Sequence, residues 1–369
     1  MCGFPLSLKE LETAGRRFLT RHLLSRFQPR QVLGRIPEGR EPGRILLMRW
    51  DAIGDLMVCL PYFRKVRDLF PESQVGIVVS RRNRIILKHE EGFSRILYDS
   101  APGVYIQSVL QARRFQPDAL VDTRMHYDST TSFIYGLLSG AEWMLSAENR
   151  DNRLPFSIRV PMPEGRLHNA DMTRILLEGL GKPIPDSDLD RPPVLSAVEL
   201  DFAGAFWRRC GLNLRGRAVG VNISARNPLH RWSDAKTASL CRELLSMGRT
   251  PVLFWAPWDR ERAMSIASAA SGTLTAPRTP TILHSAALIK DLGLFVTPDT
   301  GILHIASSFG VPIIGLYKSN EEHLPTWYPW RVENIVLEDA ESVDGIEVPQ
   351  VVRGIGELSS SLERIELDL

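Results

Sequence analysis

Leu292-Gly-Leu-Phe-Val296-Thr-Pro-Asp299-Thr-Gly301-Ile-Leu-His304-Ile-Ala306-Ser-Ser-Phe309-Gly-Val-Pro312-Ile-Ile-Gly-Leu-Tyr317 is one unbroken run of strand, turn, helix and strand. The apolar segment to Val296 reads as a buried parallel strand. Pro298-Asp-Thr-Gly301 is both a turn and a helix-start signal. Ile302, Leu303, Ala306 and Phe309 recur at helical spacing, Gly310 and Pro312 stop that helix, and the next strand begins at Val311. A polar loop between a strand's carboxyl end and a helix amino end is where open α/β sheets bind ligands and where backbone N–H groups attract anions. Asp299 or Thr300 alone reads as an ordinary helix cap. Asp, Thr, Gly and a His one turn later, in one loop, shift the reading toward a site.

The same alternation extends outward. Arg44–Met48 reads as a first strand, Asp55–Phe70 as a helix kinked or restarted at Pro61, and Val75–Val79 as a second strand. Arg95–Tyr98 and Ala119–Asp122 follow as strands, with helices around Val109, from Phe133 to Leu138 and from His168 to Leu180. Pro183–Pro193 reads as a linker and Glu199–Cys210 as a connecting helix. The pattern then restarts with strand Ala218–Ile223, helix Asp234–Met247, strand Pro251–Trp255 and helix Asp259–Ala270. Two successive βαβ arrays make an α/β protein with two doubly wound sheets and a ligand cleft between them. The expected division is 1–43 (basic helix and linker), 44–198, 199–345 and a tail, 346–369, open to crossing back onto the first half.

The 369 residues suit two domains of roughly 100–200 residues each. A 44% hydrophobic and 24% charged composition is that of a globular protein, and a net charge of +2 argues against a dedicated polyanion binder. Charge is uneven: residues 1–43 carry eight Lys/Arg against four acids. Within them, Ser7-Leu-Lys-Glu10 is a capping box that opens an amphipathic stretch to Phe27. Two readings fit that helix: docking on the protein body, or lying on an anionic membrane surface. The four cysteines form no close pair, so disulfides and zinc are not expected and a reducing cytoplasm is the default. Cys59 and Cys241 read as buried thiols, and neither a signal peptide nor a membrane span is expected.

Three further loops carry candidate chemistry. Arg49-Trp-Asp-Ala-Ile-Gly-Asp55 joins the first strand to its helix; Gly54 allows close backbone approach, and Asp55 sits where a helix dipole favours a carboxylate. Asn222-Ile-Ser224-Ala-Arg226 and His230-Arg231-Trp232 follow the first strand of the second array. Their Asn and Ser offer hydrogen bonds and their arginines cations for phosphate oxygens. Trp232 reads as a core anchor. Asp122-Thr-Arg124-Met-His126-Tyr-Asp128 opens at the same sheet end as Asp55; Arg124 and His126 suit phosphate or acidic sugar groups, and a solvated capped loop fits equally. The Gly-x-Gly-x-x-Gly dinucleotide fingerprint and the Walker A sequence are absent, which weakens dehydrogenase and ATPase readings.

Arg49-x-Asp-x-Ile-Gly-Asp55, His230-Arg231-Trp232, and Asp299-Thr-Gly-x-x-His304-x-Ala306 with Gly310-x-Pro312, in this order and spacing, resemble glycosyltransferase family 9. That family includes the ADP-heptose:lipopolysaccharide heptosyltransferases, and the resemblance covers most of residues 44–330. It implies GT-B architecture: two Rossmann-like domains facing a cleft. It also implies inverting, metal-independent transfer with no cofactor beyond the nucleotide-sugar substrate. By the resemblance Asp55 matches the general base, Arg49 and Gly54 lie on the acceptor side, and Asp299, Thr300, Gly301 and His304 match the donor loop. Asp259 or Glu261 lies where the family places an acid on the nucleotide ribose. One position departs: the family often has Lys two residues before the Trp, to hold the diphosphate, and here it is His230. Arg231 or Arg226 then substitutes, or the donor differs. The partners implied are a nucleotide sugar and a lipid-linked glycan, with the basic amino-terminal helix at the inner membrane face; no nucleic acid is expected. The competing expectations are a family member with another donor or acceptor, and a non-catalytic nucleotide-sugar-binding scaffold.

Overall fold

The computed structural model describes residues 32–99, 101–124, 129–148, 154–211, 217–319 and 324–367. The amphipathic stretch from Ser7 to Phe27 lies outside them. The first half holds β1 (Arg44–Met48), α1 (Ile53–Leu69), β2 (Gln74–Ser80), β3 (Phe93–Tyr98), α2 (Pro102–Phe115) and β4 (Ala119–Asp122). It continues with α3 (Thr130–Ser139), β5 (Trp143–Ala147), β6 (Ile158–Val160) and α4 (Asn169–Glu178). Helix α5 (Ala197–Cys210) leads into β7 (Ala218–Asn222), α6 (Asp234–Ser246), β8 (Thr250–Phe254), α7 (Arg260–Ala269) and β9 (Leu274–Thr275). The chain ends with α8 (Ile282–Ile289), β10 (Leu294–Pro298), α9 (Gly301–Ser308), β11 (Ile313–Lys318), α10 (Leu324–Trp327), β12 (Asn334–Asp339) and α11 (Val348–Leu367).

Each half contributes one parallel six-stranded sheet, ordered β3-β2-β1-β4-β5-β6 and β12-β11-β10-β7-β8-β9. Counted from its own first strand, each has the order 3-2-1-4-5-6. The strand direction of winding therefore reverses between β1 and β4 in one sheet and between β7 and β10 in the other. Crevices open at the carboxyl ends of strands at such switch points. β1 and β7 are apolar nearly throughout because helices cover both faces, and Ile45, Leu46, Leu47, Val219 and Val221 are buried. Each such side chain contributes about 1.5–3 kcal/mol relative to exposure.

Several elements differ from the sequence expectation. Helix α1 does not restart at Pro61 but runs unbroken through it. Residues 33–36, expected as linker, are tied to the first sheet: Leu33 bridges Ile158 and the Ile36 N–H donates to the Gly179 carbonyl (2.8 Å). Helix α8 is an addition to the sequence expectation, because Ile282-Leu-His-Ser-Ala-Ala-Leu-Ile289 is buried at nearly every position and shows no amphipathic period. The tail's described residues form α11, whose Val351, Ile355 and Leu358 join the core of the second sheet. Ser359 of the same helix accepts Arg249 Nη2 at 2.8 Å, a further contact with that half. No described helix is long and apolar enough to cross a membrane.

The halves share a core. Cluster residues from α1, including Leu56, Met57 and Phe63, belong to the same buried group as Leu303, Ile305 and Ala306 of α9. The connecting segment is strapped down by Arg64, which pairs with Glu90 and donates to the carbonyls of Asp190 (2.6 Å) and Pro192 (2.9 Å). Glu199 of α5 is fully buried and accepts from Lys88 Nζ at 3.0 Å, fixing the second half's entry helix to the first half.

Candidate active site

Every candidate loop leaves the carboxyl end of a strand beside a switch point, or of β8 next to one. In the first half, β1 delivers Arg49, which is 3% exposed. Its guanidinium reaches the Asp55 carboxylate (Nη2 to Oδ1, 3.0 Å) and donates to the Thr123 carbonyl (2.6 Å) in the loop after β4. The other Asp55 oxygen accepts the Ala52 N–H at 3.0 Å, closing the first turn of α1. Asp55 is thus aimed from two sides while part of its side chain stays accessible (20%). Buried Asn83 holds the loop from beneath, donating to the Arg49 carbonyl at 2.8 Å.

The loop after β4 folds back on this group. Arg124 accompanies Asp122 (3.3 Å) and lies over the Trp50 ring, 4.8 Å from its centroid. Trp50 in turn stacks on Tyr98, with centroids 4.1 Å apart. Burial raises the Asp51 carboxyl above the usual range, against the pull of Arg49 and Arg124. No local sequence signal marks Trp50 for this place, because its ring partners, Tyr98 and Tyr135, lie in a strand and a helix far along the chain. His126 lies outside the described residues.

In the second half, Asn222 at the end of β7 donates to Thr297 Oγ1 (3.0 Å) and Thr300 Oγ1 (3.2 Å), joining the loops after β7 and β10. Ser224 donates to Asp259 Oδ2 (2.6 Å) and accepts the Ala256 N–H (2.8 Å). Between the two ribose candidates the structure makes a distinction: Asp259 is buried at the site, whereas Glu261 is exposed on α7. Arg231 is half-buried, with Nε on the Ala225 carbonyl (2.6 Å); Arg226 is exposed, and His230 is half-buried at the end of a short 3-10 turn. Trp232 is the core anchor expected, its indole N–H on the Ile346 carbonyl at 2.9 Å.

Helix α9 starts differently from α1. Thr300 is its N-cap but makes no capping bond, its hydroxyl donating instead to the Pro298 carbonyl, and no acid occupies the first turn. Asp299 is half-buried just before it, and its charge adds to burial in raising the Tyr317 phenol. His304 is 5% exposed and packs edge-on to Trp327, with centroids 5.6 Å apart.

The amino ends of α1 and α9 meet. A Cβ on Gly301 would lie 3.3 Å from the Gly54 nitrogen, and a Cβ on Gly54 would lie 2.6 Å from His304 Cδ2 and 3.4 Å from Gly301 Cα. Two glycines from opposite halves are needed for this approach. The loops carrying Asp55 and Asp299 therefore share one seam. Against it packs His168, the N-cap of α4: Nδ1 accepts the Ala170 N–H (3.1 Å), so Nε2 carries the proton given to the Tyr328 carbonyl (3.1 Å). Burial, then the nearby His304, pushes the His168 imidazole down to about 3, so it is neutral.

Residues 180–344 match the family model of glycosyltransferase family 9 (heptosyltransferase), a span that contains the whole β7–β12 sheet and its loops but not Arg49 to Asp55. A Haemophilus influenzae protein named "Putative glycosyltransferase" is 22% identical over 303 residues, 78% of this chain and 86% of that protein. Among solved structures, the glycosyl transferase family 9 protein of Veillonella parvula superposes with a TM-score of 0.72 at 19% identity, covering 86% of this chain and 97% of that one. E. coli ADP-heptose lps heptosyltransferase II gives 0.65 at 17% identity, with 87% and 99% covered. The fold is thus the GT-B arrangement of these structures, and the second half of the chain, over residues 180–344, is similar to the glycosyltransferase family 9 model.

Proposed function

We propose that this protein is a family 9 glycosyltransferase that moves a heptose, or a related sugar, from ADP-heptose to a hydroxyl of a lipopolysaccharide core acceptor, with inversion and without a metal. The observation that carries the reading is the meeting of two unlike helix starts, one furnished with a clamped carboxylate and the other with neither a bond from its N-cap side chain nor a first-turn acid. Asp55 takes the acceptor's proton as its oxygen attacks the anomeric carbon, while the bond to the diphosphate breaks on the opposite face. Arg49 orients Asp55. The charge growing on the departing diphosphate falls to the amino end of α9 and to the loop after β7, through the guanidiniums of Arg226 and Arg231 and the imidazole of His230. Asp259, oriented by Ser224, takes a ribose hydroxyl, and Asp299 with Thr300 holds sugar hydroxyls. Arg124, stacked on Trp50, faces anionic groups of the acceptor. Solvated cations and helix dipoles supply the stabilisation otherwise given by a metal. A lipid-linked acceptor places the enzyme on the cytoplasmic side of the inner membrane.

His230, standing where the family often has Lys, favours a second reading: the same chemistry with another nucleotide sugar. Calorimetry separates the two. ADP-heptose should bind and a UDP-sugar should not; binding of the UDP-sugar alone rejects ADP-heptose. Mass-spectrometric detection of a glycosylated core saccharide would exclude a non-catalytic scaffold.

A further inference from the structure

A cavity of about 570 Å³ opens at the seam, away from the loops assigned above. One wall is the start of α4 and the segment before it, with Asp171 and Arg174; the other is Tyr328 and Arg331 from the second half, and Asp186 of the connecting segment lies between. Tyr62, two helical turns beyond Asp55 on α1, donates to Asp186 at 2.5 Å, which sets the cavity about 10 Å along that helix from Asp55.

Its chemistry is specific in kind. Two carboxylates and two guanidiniums line it, so it presents hydrogen-bond donors and acceptors together with little net field. A phosphate would find Asp171 and Asp186 as well as the arginines. A hydroxyl-rich neutral ligand uses both signs, because each hydroxyl donates to a carboxylate and accepts from a guanidinium. Arg174 gives one N–H to Glu178 (2.6 Å), while its Nε is buried with no hydrogen-bond partner among the described residues. Such a donor is costly to leave unmet. Tyr328, 36% exposed, offers an aromatic face with a polar tip. The far wall is held in place: Arg331 has a left-handed backbone (φ 54°), and its carbonyl accepts Arg191 Nη1 at 2.7 Å while its guanidinium pairs with Asp186. A bulky residue keeps that conformation only where its surroundings over-determine it.

We propose that this cavity is a second carbohydrate site, taking one pyranose unit through hydroxyl contacts to Asp171, Arg174, Asp186 and Arg331 and a stacking contact with Tyr328. The sugar is either a unit of the glycan acceptor or a free saccharide. Since the walls belong to both halves, occupancy ties them together.

Saturation-transfer NMR on the full chain tests it with three probes: methyl α-D-mannoside, delipidated lipopolysaccharide core oligosaccharide, and inorganic phosphate. At least one saccharide should bind and raise the unfolding temperature. Its affinity should fall at least tenfold in Tyr328→Ala and in Arg174→Met, each checked for unchanged unfolding temperature without ligand, and persist in Asp55→Asn and Asp299→Asn. Binding of the oligosaccharide alone identifies the acceptor glycan as the source; binding of the methyl glycoside as well identifies a free sugar. Failure of both saccharides at millimolar concentration overturns the proposal. So does displacement of the saccharide by phosphate, or loss of binding in Asp299→Asn with retention in Tyr328→Ala. Sugar transfer is assayed separately, so either reading can fall alone.

Discussion

The two helix starts that meet at the seam share a topology and differ in chemistry. Both follow a strand bordering a switch point, and both carry in the first turn a glycine that lets backbone approach backbone. At α1 the protein satisfies its own helix: Asp55 accepts the Ala52 N–H and pairs with Arg49. At α9 the first turn holds no acid and the N-cap threonine turns its hydroxyl elsewhere. The first arrangement presents negative charge to a ligand, and the second presents the positive end of a dipole. One topological device, used twice, thereby yields a place for a proton acceptor and a place for a leaving diphosphate.

That contrast breaks most visibly if its carboxylate is neutralised. Asp55→Asn should lower the transfer rate by about a hundred- to ten-thousand-fold, the range for losing a general base. Calorimetric donor affinity should stay within about twofold; normal turnover would remove Asp55 from the role. Gly54→Ala attacks the contact itself. Its methyl carbon would meet His304 Cδ2 at 2.6 Å, so urea denaturation should show a loss of about 1–3 kcal/mol. An unchanged midpoint would mean that the seam is looser than described. On the anion side, Ser224→Ala leaves the buried Asp259 oxygen without its hydroxyl donor, at a cost of about 1–3 kcal/mol. Donor affinity should fall and the transfer rate at saturating donor should hold.

A further effect is in pH. His168 has an ordinary value of 6.5 and is pushed down to about 3 in the fold. Between those values the unfolded chain binds a proton that the folded imidazole refuses. Stability is therefore complete above 6.5 and declines as pH falls toward 3, by at most about 1.4 kcal/mol per unit. His168→Asn, which keeps a capping side chain, should flatten that slope in denaturation curves taken from pH 7 to 4.5.

Much of this was legible before any coordinates. Repeated strand–loop–helix punctuation announced two doubly wound sheets, and Asp299-Thr-Gly301 with Arg49 to Asp55 marked loops that the structure places at one seam. The signals that failed share a cause. Helix α8 is buried all round, so no polar face betrays its period. Trp50 stacks on Tyr98, and Asp51 answers to Arg124 as well as Arg49, across distances in sequence that no local pattern spans.

By itself the sequence determined the alternation, the turn chemistry and the order of the polar loops, because periodicity, caps and glycine turns depend on neighbours within a helical turn or a strand. Tertiary structure alone decided that Asp259 is enclosed while Glu261 faces solvent, that Gly54 abuts Gly301, and that His304 is buried rather than exposed. Those outcomes depend on burial and charge supplied by residues from distant stretches of chain, and the packing of one half against the other sets both.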